Sequence, residues 1–533
     1  MARTPLFGFL RRSLGIARHS LHSPMPLDEL LERGRDRAAL SRRELLLGAA
    51  SAAAVTAYAG CAPARILTPG VHQEEVLIFG AGIAGLTAAY RLQQAGVRAR
   101  VFDAANRTGG RMFSLRDHFA DGQVAELGGE LIDTGHKTIR ALAGELGIAL
   151  DDFAQEDPGV DRDVWFIEGA RRSEREVVEA FRPLAARIER DLATFQGDGD
   201  VTYKAHNGGG RFDFTTLAKY LDEAGMTGWF RKLLDVAYTA EYGLETDRQS
   251  SLNLLFLIDP EPEPFRIFGE SDERFHVRGG NDLITRALAE RLERPVETGA
   301  ALEAIRKGSD GRLVCTLRRA GTSQEIAGAH VVLAMPFTML RSVQIDLELP
   351  AVKRRAIDQL GYGTNAKLMV SFSERVWRTR HRSNGSVVTD LPFQSSWETS
   401  RLQPGASGLL TNFTGGAHGL ELGQGTPAHQ AALFVSDLER IFPGISAHRE
   451  GMKEARFHWP SHPFTKGSYA CYLPGQWTAF RGVEGEPVGN LHFAGEHCSL
   501  DAQGFMEGGC ETGEAAAREV LADLKLAPAA AAA

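Results

Sequence analysis

The clearest pattern of apolar and polar positions begins a few residues after position 70. Residues 76–79 form a short, wholly apolar run with branched side chains, which predicts a strand buried on both faces. Residues 86–95 have helical character, Gly96 ends that helix, and residues 99–102 predict a second strand that ends at Asp103. The pattern therefore predicts a strand, a helix and a second strand in an α/β fold.

A glycine-rich turn joins the first predicted strand to the helix. Gly80 permits a tight turn, Gly82 lets backbone N–H groups approach a pyrophosphate, and Gly85 lets the helix pack closely on the strand. The partial positive charge of the helix N-terminus favours an anion there. Asp103 follows about twenty residues later, where an acid binds ribose hydroxyls. The pattern predicts a dinucleotide site, and a glycine-rich turn in an unrelated α/β sheet is the alternative.

Two further glycine pairs with flanking arginines favour FAD over NAD. Glycines bring the main chain close to a bulky flat ring, while backbone and guanidinium groups supply donors for a diphosphate. These residues are Arg107, Gly109, Gly110, Arg111, Gly128 and Gly129.

Together with motifs farther along the chain, these segments resemble the flavin-containing amine oxidase family, which includes monoamine oxidases, polyamine oxidases and L-amino-acid oxidases. The further motifs, in the family's order, are residues 278–283, a Gly-Gly segment before a helix; residues 296–305, an adenine-side strand; residues 330–336, a strand leading to a proline; and residues 492–497 and 504–509, the flavin-closing motif. The resemblance implies a Rossmann-like FAD-binding domain and an α+β substrate-binding domain with a helical insert.

The resemblance also implies further cofactor contacts. They are Ala84, Leu302, Gly495, Glu496, Phe505 and Met506. Ser468 stands where relatives with covalently attached flavin carry cysteine, so we expect FAD to be bound non-covalently. A helix that begins near Glu507 would direct its N-terminus at the flavin, where its dipole favours the negative charge of the reduced ring.

The chemistry implied by the resemblance is hydride transfer from the carbon next to an amine nitrogen to flavin N5. The imine product is hydrolysed to an aldehyde or ketone, and oxygen reoxidises the flavin with release of hydrogen peroxide. Lys367 lies in a stretch that resembles the family's lysine-bearing strand, whose lysine holds a water near N5. Burial among apolar neighbours would disfavour its charge, and an exposed strand lysine is the alternative.

Two aromatic residues, Tyr469 and Phe505, resemble the pair that flanks the substrate nitrogen in the family. Aromatic faces suit an apolar amine and tolerate a cation as it docks. The family more often has tyrosine at the second position, so Phe505 supplies the same aromatic face without a hydroxyl group. Core packing is the alternative for both residues.

Acidic residues after the second glycine pair favour a cationic substrate over an anionic one. Glu130 and Asp133 occur there, and no arginine follows until Arg140, whereas an amino-acid oxidase needs an arginine for the substrate carboxylate. Asp133 lies near the acid that some polyamine oxidases carry, which suggests recognition of a second ammonium; a turn or helix-capping role is the alternative. Arg171 or Arg172 reaching the site would instead favour amino acids.

The first hypothesis for function is thus the FAD-dependent oxidation of a primary or secondary amine. An L-amino-acid oxidase or a tryptophan 2-monooxygenase-like enzyme is the nearest alternative, and a flavin desaturase acting on a hydrophobic ring system is another. An alternative of a different class is a non-catalytic flavin-bound protein whose surface binds another protein.

Composition limits the partners and the metal chemistry. The 533 residues carry a formal net charge of -8, which gives no general electrostatic reason to bind nucleic acid. We expect an amine and oxygen as partners, with a homodimer left open. The four cysteines after Cys61 include no C-x-x-C pair, and the histidines do not cluster along the chain, so the sequence predicts no disulfide framework and no metal site.

The first sixty residues predict an export segment. Arg42 and Arg43 precede an apolar stretch, residues 45–59, which is too short to span a bilayer stably and ends in an A-x-A cleavage site. This resembles a twin-arginine (Tat) signal, which implies the Tat export machinery as a partner and a periplasmic or secreted protein. An N-terminal helix of the mature fold is the alternative. Cys61 follows a poor lipobox, so lipid anchoring is the less favoured outcome.

The sequence divides into four predicted parts. They are residues 1–60, the signal segment; residues 72–150, 270–340 and 465–525, the discontinuous FAD-binding domain; residues 151–269 and 341–464, the substrate-binding domain; and residues 526–533, a disordered tail.

Overall fold

The computed structural model describes residues 72–155, 159–161, 164–197, 199–257 and 272–526. The predicted export segment, Cys61 and residues 527–533 of the predicted tail lie outside the described residues. None of the helices in the described ranges has the length and apolar character needed to cross a membrane.

The strands of the described part fall into three larger sheets and two short pairs. In chain order they are β1 (His72–Phe79), β2 (Val97–Phe102), β3 (Ser114–Leu115), β4 (Ala125–Glu126), β5 (Leu150–Asp152), β6 (Val164–Ile167), β7 (Ala170–Arg172), β8 (Phe275–Val277), β9 (Ala300–Lys307), β10 (Leu313–Arg319), β11 (Thr322–Gly328), β12 (His330–Leu333), β13 (Gln344–Asp346), β14 (Ala366–Phe372), β15 (Val387–Thr389), β16 (Ser395–Glu398), β17 (Gly408–Thr414), β18 (Glu454–His458) and β19 (Leu491–Phe493).

The α-helices of the described part range from single turns to five turns. They are α1 (Ile83–Gln94), α2 (Lys137–Glu145), α3 (Glu174–Leu192), α4 (Gly210–Asp213), α5 (Leu217–Glu223), α6 (Gly228–Tyr242), α7 (Leu252–Leu255), α8 (Asp282–Arg291), α9 (Phe337–Leu340), α10 (Ala351–Gln359), α11 (Val376–Thr379), α12 (Gly416–Glu421), α13 (Pro427–Glu439), α14 (Gln476–Phe480) and α15 (Met506–Asp523).

The predicted strand–helix–strand unit forms the centre of a parallel sheet with the order β19-β12-β1-β2. Residues 76–79 of β1 are buried, as their wholly apolar pattern predicts. Strands β12 and β2 cover both edges of β1, helix α1 packs on one face, and the sheet of β9, β10 and β11 packs on the other. Helix α1 begins at Ile83, three residues before the predicted start, because Gly82 has the extended conformation of an N-cap. The sheet joins strands from three distant parts of the chain.

A second, seven-stranded sheet has the order β18-β14-β17-β16-β15-β6-β7. Its pairings are antiparallel except for β15 with β6. Strands β14 and β17 are buried along their whole length, with α13 packed over one face. The helices α3 to α7 pack beside this sheet around a core that contains Phe181, Leu234 and Leu252. Side chains of β14, β16 and β17 face the carboxyl edge of the parallel sheet, and the cavity described below lies between them.

Helices α1 and α15 pack closely against each other at two glycines of α15. A Cβ added at Gly513 of α15 would lie 2.3 Å from the carbonyl oxygen of Ala84, and one added at Gly509 would lie 2.6 Å from Ile83 Cγ2. Within the turn itself, a Cβ at Gly85 would lie 1.9 Å from the carbonyl oxygen of Gly80. These contacts fix the turn after β1 against its neighbours.

We predict that Gly85→Ala lowers the free energy of unfolding by about 3 kcal/mol, because a backbone carbonyl cannot move aside for the new methyl group. Gly144→Ala is the matched control: Gly144 also lies within a helix, α2, but a Cβ there meets no atom within 4 Å. The control should gain about 0.5–1 kcal/mol from helix propensity. Urea unfolding of both variants checks this, and equal stabilities would contradict it.

Candidate functional site

A cavity of about 390 Å³ lies at the carboxyl ends of β1 and β12. That edge of a parallel sheet is where α/β proteins bind their ligands. The predicted site residues that line the cavity are Gly80, Gly82, Ala84, Asp103, Arg107, Gly109, Gly110, Arg111, Gly128, Gly129, Glu130, Leu302, Lys367, Tyr469, Gly495, Glu496, Phe505 and Met506. Gly85 and Asp133 are not among the lining residues.

The glycines of the turn after β1 have different physical roles. Gly80 has φ +112°, and a Cβ there would lie 2.3 Å from the carbonyl oxygen of Ala334, so both conformation and packing require glycine. A Cβ at Gly82 would come no closer than 4.0 Å to any protein atom, the Cα of Gly110. The chain's own packing therefore leaves space at Gly82, in front of the N-terminus of α1, and a diphosphate fits such a cradle.

Asp103 lies at the end of β2 with its carboxylate turned back toward the glycine turn. Its Oδ2 accepts the Ala81 N–H at 2.7 Å, and its Oδ1 accepts the Ala105 N–H at 2.8 Å. Burial raises the pKa of Asp103, although these two hydrogen bonds oppose the shift. Each carboxylate oxygen has a second lone pair, so the residue fits the predicted contact with ribose hydroxyls.

Arg107 and Arg111 flank the glycine pair Gly109–Gly110 and bond to the chain around it. Arg107 donates to the Gly110 carbonyl at 2.8 Å and lies over the ring of Phe113. Arg111 donates to Glu496 Oε1 at 2.8 Å and to the carbonyl of Ser468 at 2.9 Å. Both guanidinium groups line the cavity, and each has five donors, so donors beyond these bonds can serve a diphosphate.

Glu496 connects three segments around the cavity. Besides the ion pair with Arg111, its Oε1 lies 3.3 Å from the donating Ala470 N–H, and its Oε2 accepts the Gly504 N–H at 2.8 Å. The resemblance assigns Glu496 to the cofactor. The structure adds a second role, because this carboxylate fixes the segments that carry Tyr469 and Phe505.

The closing helix α15 begins at the cavity. Phe505 is its N-cap residue, and Phe505, Met506 and Gly509 line the cavity. Glu507 does not point at the cavity: its carboxylate accepts the N–H groups of Thr138 and Ile139, both at 2.8 Å, at the N-terminus of α2. The side chain of Glu507 thus anchors α15 to α2, while the dipole of α15 is directed at the cavity, as predicted.

Lys367 is buried, but apolar neighbours do not surround its charge. Its Nζ donates to Glu130 Oε2 at 2.7 Å, to the Gly128 carbonyl at 2.9 Å and to the Glu126 carbonyl at 3.2 Å. An ammonium has three donors, and the chain accepts all three. The expectation of a lysine surrounded by apolar neighbours is therefore corrected: Lys367 forms a buried ion pair with Glu130.

The same ion pair corrects the role expected for Glu130. Its second oxygen, Oε1, accepts from Trp397 Nε1 at 2.9 Å and from Thr399 Oγ1 at 3.1 Å. Burial alone would raise the pKa of Glu130, but the charge of Lys367 and the hydrogen bonds from Lys367 and Trp397 hold it below its ordinary value. Glu130 lines the cavity as half of a neutralised pair, so it does not attract a cationic substrate.

Asp133 lies in a buried turn outside the cavity lining. Its Oδ1 accepts the Glu273 N–H at 2.7 Å, and its carbonyl accepts the His136 N–H. This placement fits the alternative that Asp133 forms a turn. It does not fit the recognition of a second substrate ammonium, because Asp133 is not part of the cavity lining. The arginines considered as carboxylate clamps also lie elsewhere: Arg171 donates to the Ile441 carbonyl, and Arg172 lies over the ring of Trp229.

The predicted aromatic pair lies at the cavity together with residues that the sequence did not indicate. Tyr469 donates its hydroxyl to the Glu241 carbonyl at 2.8 Å, which fixes its ring. Sequence reasoning missed many of the cavity residues, among them Glu273, Asn365, Trp397 and Phe413. Trp397 and Phe413 lie on β16 and β17, next to the lysine strand β14, so strand pairing is the signal that could have found them.

Comparisons with known proteins agree with this geometry. A family model described as flavin containing amine oxidoreductase matches residues 83–521. The putative L-amino-acid oxidase YobN of Bacillus subtilis is 24% identical in an alignment 486 residues long, which covers 85% of this chain and 96% of that protein. The flavin-containing amine oxidase A of Canis lupus familiaris is 23% identical, over 84% of this chain and 85% of that protein.

Solved structures show the same fold. The cyclohexylamine oxidase from Brevibacterium oxydans IH-35A has a TM-score of 0.71 at 20% identity, covering 85% of this chain and 99% of that one. Wild-type putrescine oxidase bound to putrescine has a TM-score of 0.71 at 18% identity, covering 84% and 99%. The predicted Rossmann-like FAD-binding fold with a substrate-binding domain is confirmed. The chain belongs to the flavin containing amine oxidoreductase family and is an FAD-dependent amine oxidase.

Proposed function

We propose that this enzyme oxidises a primary or secondary amine with an apolar substituent to an imine, with oxygen as the electron acceptor. Bound FAD would supply the acceptor for the hydride from the carbon next to the nitrogen. The observation that carries the proposal is the distal wall of the cavity. This wall includes four aromatic side chains, Trp397, Phe413, Tyr469 and Phe505, and the Lys367–Glu130 ion pair, and Glu273 also lines the cavity.

Aromatic faces orient an apolar amine without offering it a counter-ion. This matters because the amine must react as the neutral form, whose nitrogen lone pair supports the developing iminium. An unpaired carboxylate in the wall would instead stabilise the protonated amine. Since Glu130 is already paired with Lys367, the wall does not oppose loss of the substrate proton.

An L-amino-acid oxidase is the second candidate, favoured by similarity to proteins named as L-amino-acid oxidases from Bacillus subtilis, where the name is putative, and Siganus canaliculatus. Its substrate carboxylate would need a guanidinium partner. Among the described residues that line the cavity, the guanidinium groups belong to Arg107 and Arg111, and both lie on the predicted diphosphate side, bonded to the chain. The geometry therefore favours an amine.

We predict that apolar monoamines bleach the flavin absorption under anaerobic conditions, and that diamines and L-amino acids do so at least about a hundredfold more slowly, since a charge buried without a partner costs several kcal/mol. Stopped-flow absorbance at matched concentrations measures the rates, and dithionite reduction serves as the control for a competent flavin. Faster bleaching by L-amino acids would support the second candidate. No bleaching by any amine would leave the non-catalytic flavin protein.

We propose that the positive charge of Lys367 assists the reaction of the reduced flavin with oxygen. Lys367→Met alone cannot test this, because it leaves Glu130 as an uncompensated buried carboxylate and should destabilise the fold by about 3–5 kcal/mol. The double variant Lys367→Met/Glu130→Gln removes both charges together, so that no uncompensated charge stays buried.

We predict that the double variant folds and binds FAD, but that its reduced flavin reacts with oxygen about a hundredfold more slowly than that of the unchanged protein, because a preorganised positive charge is lost. Mixing the two photoreduced proteins with oxygenated buffer gives both rates. Equal rates in the double variant and the unchanged protein would restrict Lys367 to a structural role.

We propose that FAD is held non-covalently. The hydroxyl of Ser468, at the position of the cysteine in flavinylated relatives, donates to Asn365 Oδ1 at 2.7 Å, and no cysteine lies among the described residues that line the cavity. Acid precipitation should release all of the flavin into the supernatant. Yellow colour that stays with the denatured chain would contradict this proposal.

A further inference from the structure

A cluster of metal-ligating side chains lies at the edge of the parallel sheet opposite the cavity. His330 is the first residue of β12, His492 lies in the neighbouring strand β19, and Asp523 is the last residue of α15. The cavity lies at the other end of β12, where Ala334, the residue after the strand, is part of its lining. The cluster is therefore separate from the flavin site.

The distances within the cluster match the edges of a tetrahedron around a metal ion. His330 Nδ1 lies 3.3 Å from His492 Nε2 and 3.8 Å from Asp523 Oδ2, and His492 Nε2 lies 3.5 Å from Asp523 Oδ2. Tetrahedral coordination with bonds of about 2.1 Å places neighbouring ligand atoms about 3.4 Å apart. One ion can thus contact all three atoms with shifts of a few tenths of an ångström.

A second carboxylate orients one of the histidines as in known zinc sites. Glu519 Oε2 lies 3.0 Å from His492 Nδ1. A carboxylate only accepts hydrogen bonds, so it assigns the proton to Nδ1 and leaves a lone pair on Nε2, which faces the other two ligand atoms. Carboxylate–histidine–metal arrangements of this kind are typical of zinc proteins.

Charge and ligand type point to the same class of ion. Two neutral imidazoles with the carboxylates of Asp523 and Glu519 carry two negative charges, which a divalent cation balances. Imidazole nitrogen suits zinc and its transition-metal neighbours, whereas magnesium and calcium prefer oxygen ligands. The Asp523 side chain is 48% exposed, so a water can reach the fourth position of the tetrahedron.

We propose that His330, His492 and Asp523 bind one divalent transition-metal ion, with Zn²⁺ as the best match, a water as the fourth ligand and Glu519 as the orienting residue. The ion ties the last turn of α15 to two strands of the parallel sheet. The first turn of α15 lines the flavin cavity, and the 18 residues of this helix span about 27 Å. The metal therefore stabilises the fold and takes no part in amine oxidation.

Zinc binding to the flavin-loaded full chain without a polyhistidine tag tests the proposal. After chelator treatment, competition with a chromophoric zinc indicator should show one tight site per chain. Bound Co²⁺ should give the intense visible absorption of tetrahedral cobalt, at wavelengths longer than the flavin band. Zinc should raise the Tm by at least about 3 °C, since an ion that binds only the folded state stabilises it, and the turnover rate should not change.

Variants assign the site to these residues. His492→Gln and Asp523→Asn should each lower the zinc affinity at least about a hundredfold, and Glu519→Gln, which removes only the orienting contact, about tenfold to a hundredfold. His418→Gln is the matched control, because His418 forms an exposed pair with Glu421 at 2.9 Å. It should leave the affinity and the cobalt spectrum unchanged.

Two results would overturn the proposal. If the chain binds zinc no better than His492→Gln and shows no tetrahedral cobalt absorption, the two histidines form a metal-free hydrogen-bonded pair. If His418→Gln weakens zinc binding as much as His492→Gln does, the metal binds exposed histidines non-specifically. Tm values for Asp523→Asn with and without zinc distinguish a folded variant that has lost its ligand from one that has failed to fold.

Discussion

Close approach of backbone to backbone at the turn after β1 is the constraint on which the rest of the structure depends. At Gly80, Gly85 and Gly513 a single added carbon would lie within 2.3 Å of a carbonyl oxygen. Side chains can rotate away from an intruding atom, but carbonyls held in a sheet or helix cannot. The turn, the loop at Ala334 and the closing helix therefore keep one relative position. These contacts also fix the position of Gly82, the N-cap of α1, where the chain leaves space for a diphosphate.

The Lys367–Glu130 ion pair gives the opposite wall its character. Both groups are nearly excluded from solvent, so neither charge persists there without the other. Their mutual neutralisation, completed by hydrogen bonds from Trp397 and Thr399 to Glu130, leaves a polar pair with no net charge. That explains how an acidic residue beside the cavity is compatible with a neutral amine. It also joins β14 of the seven-stranded sheet to the Gly128–Gly129 segment, so the wall that orients the substrate and the loop that approaches the ring are fixed together.

The sequence predicted those parts of the site whose partners are near in the chain. The residues from Val76 to Arg111 form one continuous unit in which spacing alone specifies the turn, the helix and the acid. The role of Glu130 could not be predicted in this way, because its partner Lys367 lies 237 residues farther along. The resemblance to polyamine oxidases predicts that Asp133 recognises a second ammonium, whereas the fold places it in a buried turn, as the alternative has it. Trp397 and Phe413 are brought to the cavity only by the pairing of β16 and β17 with β14.

The same reasoning explains why a search along the chain finds no clustered histidines, although two of them meet in space. His330 and His492 are 162 positions apart, and the parallel pairing of β12 with β19 places them side by side. Strands β12 and β19 also lie side by side at their other ends. The two imidazoles lie toward one end of the pair, and the residues after the other end, such as Ala334 and Gly495, line the cavity. Helix α15 closes both ends, with Phe505 at its start and Asp523 at its last turn. A metal bound at Asp523 would therefore hold the last turn of this helix to the sheet at the end far from the reacting atoms.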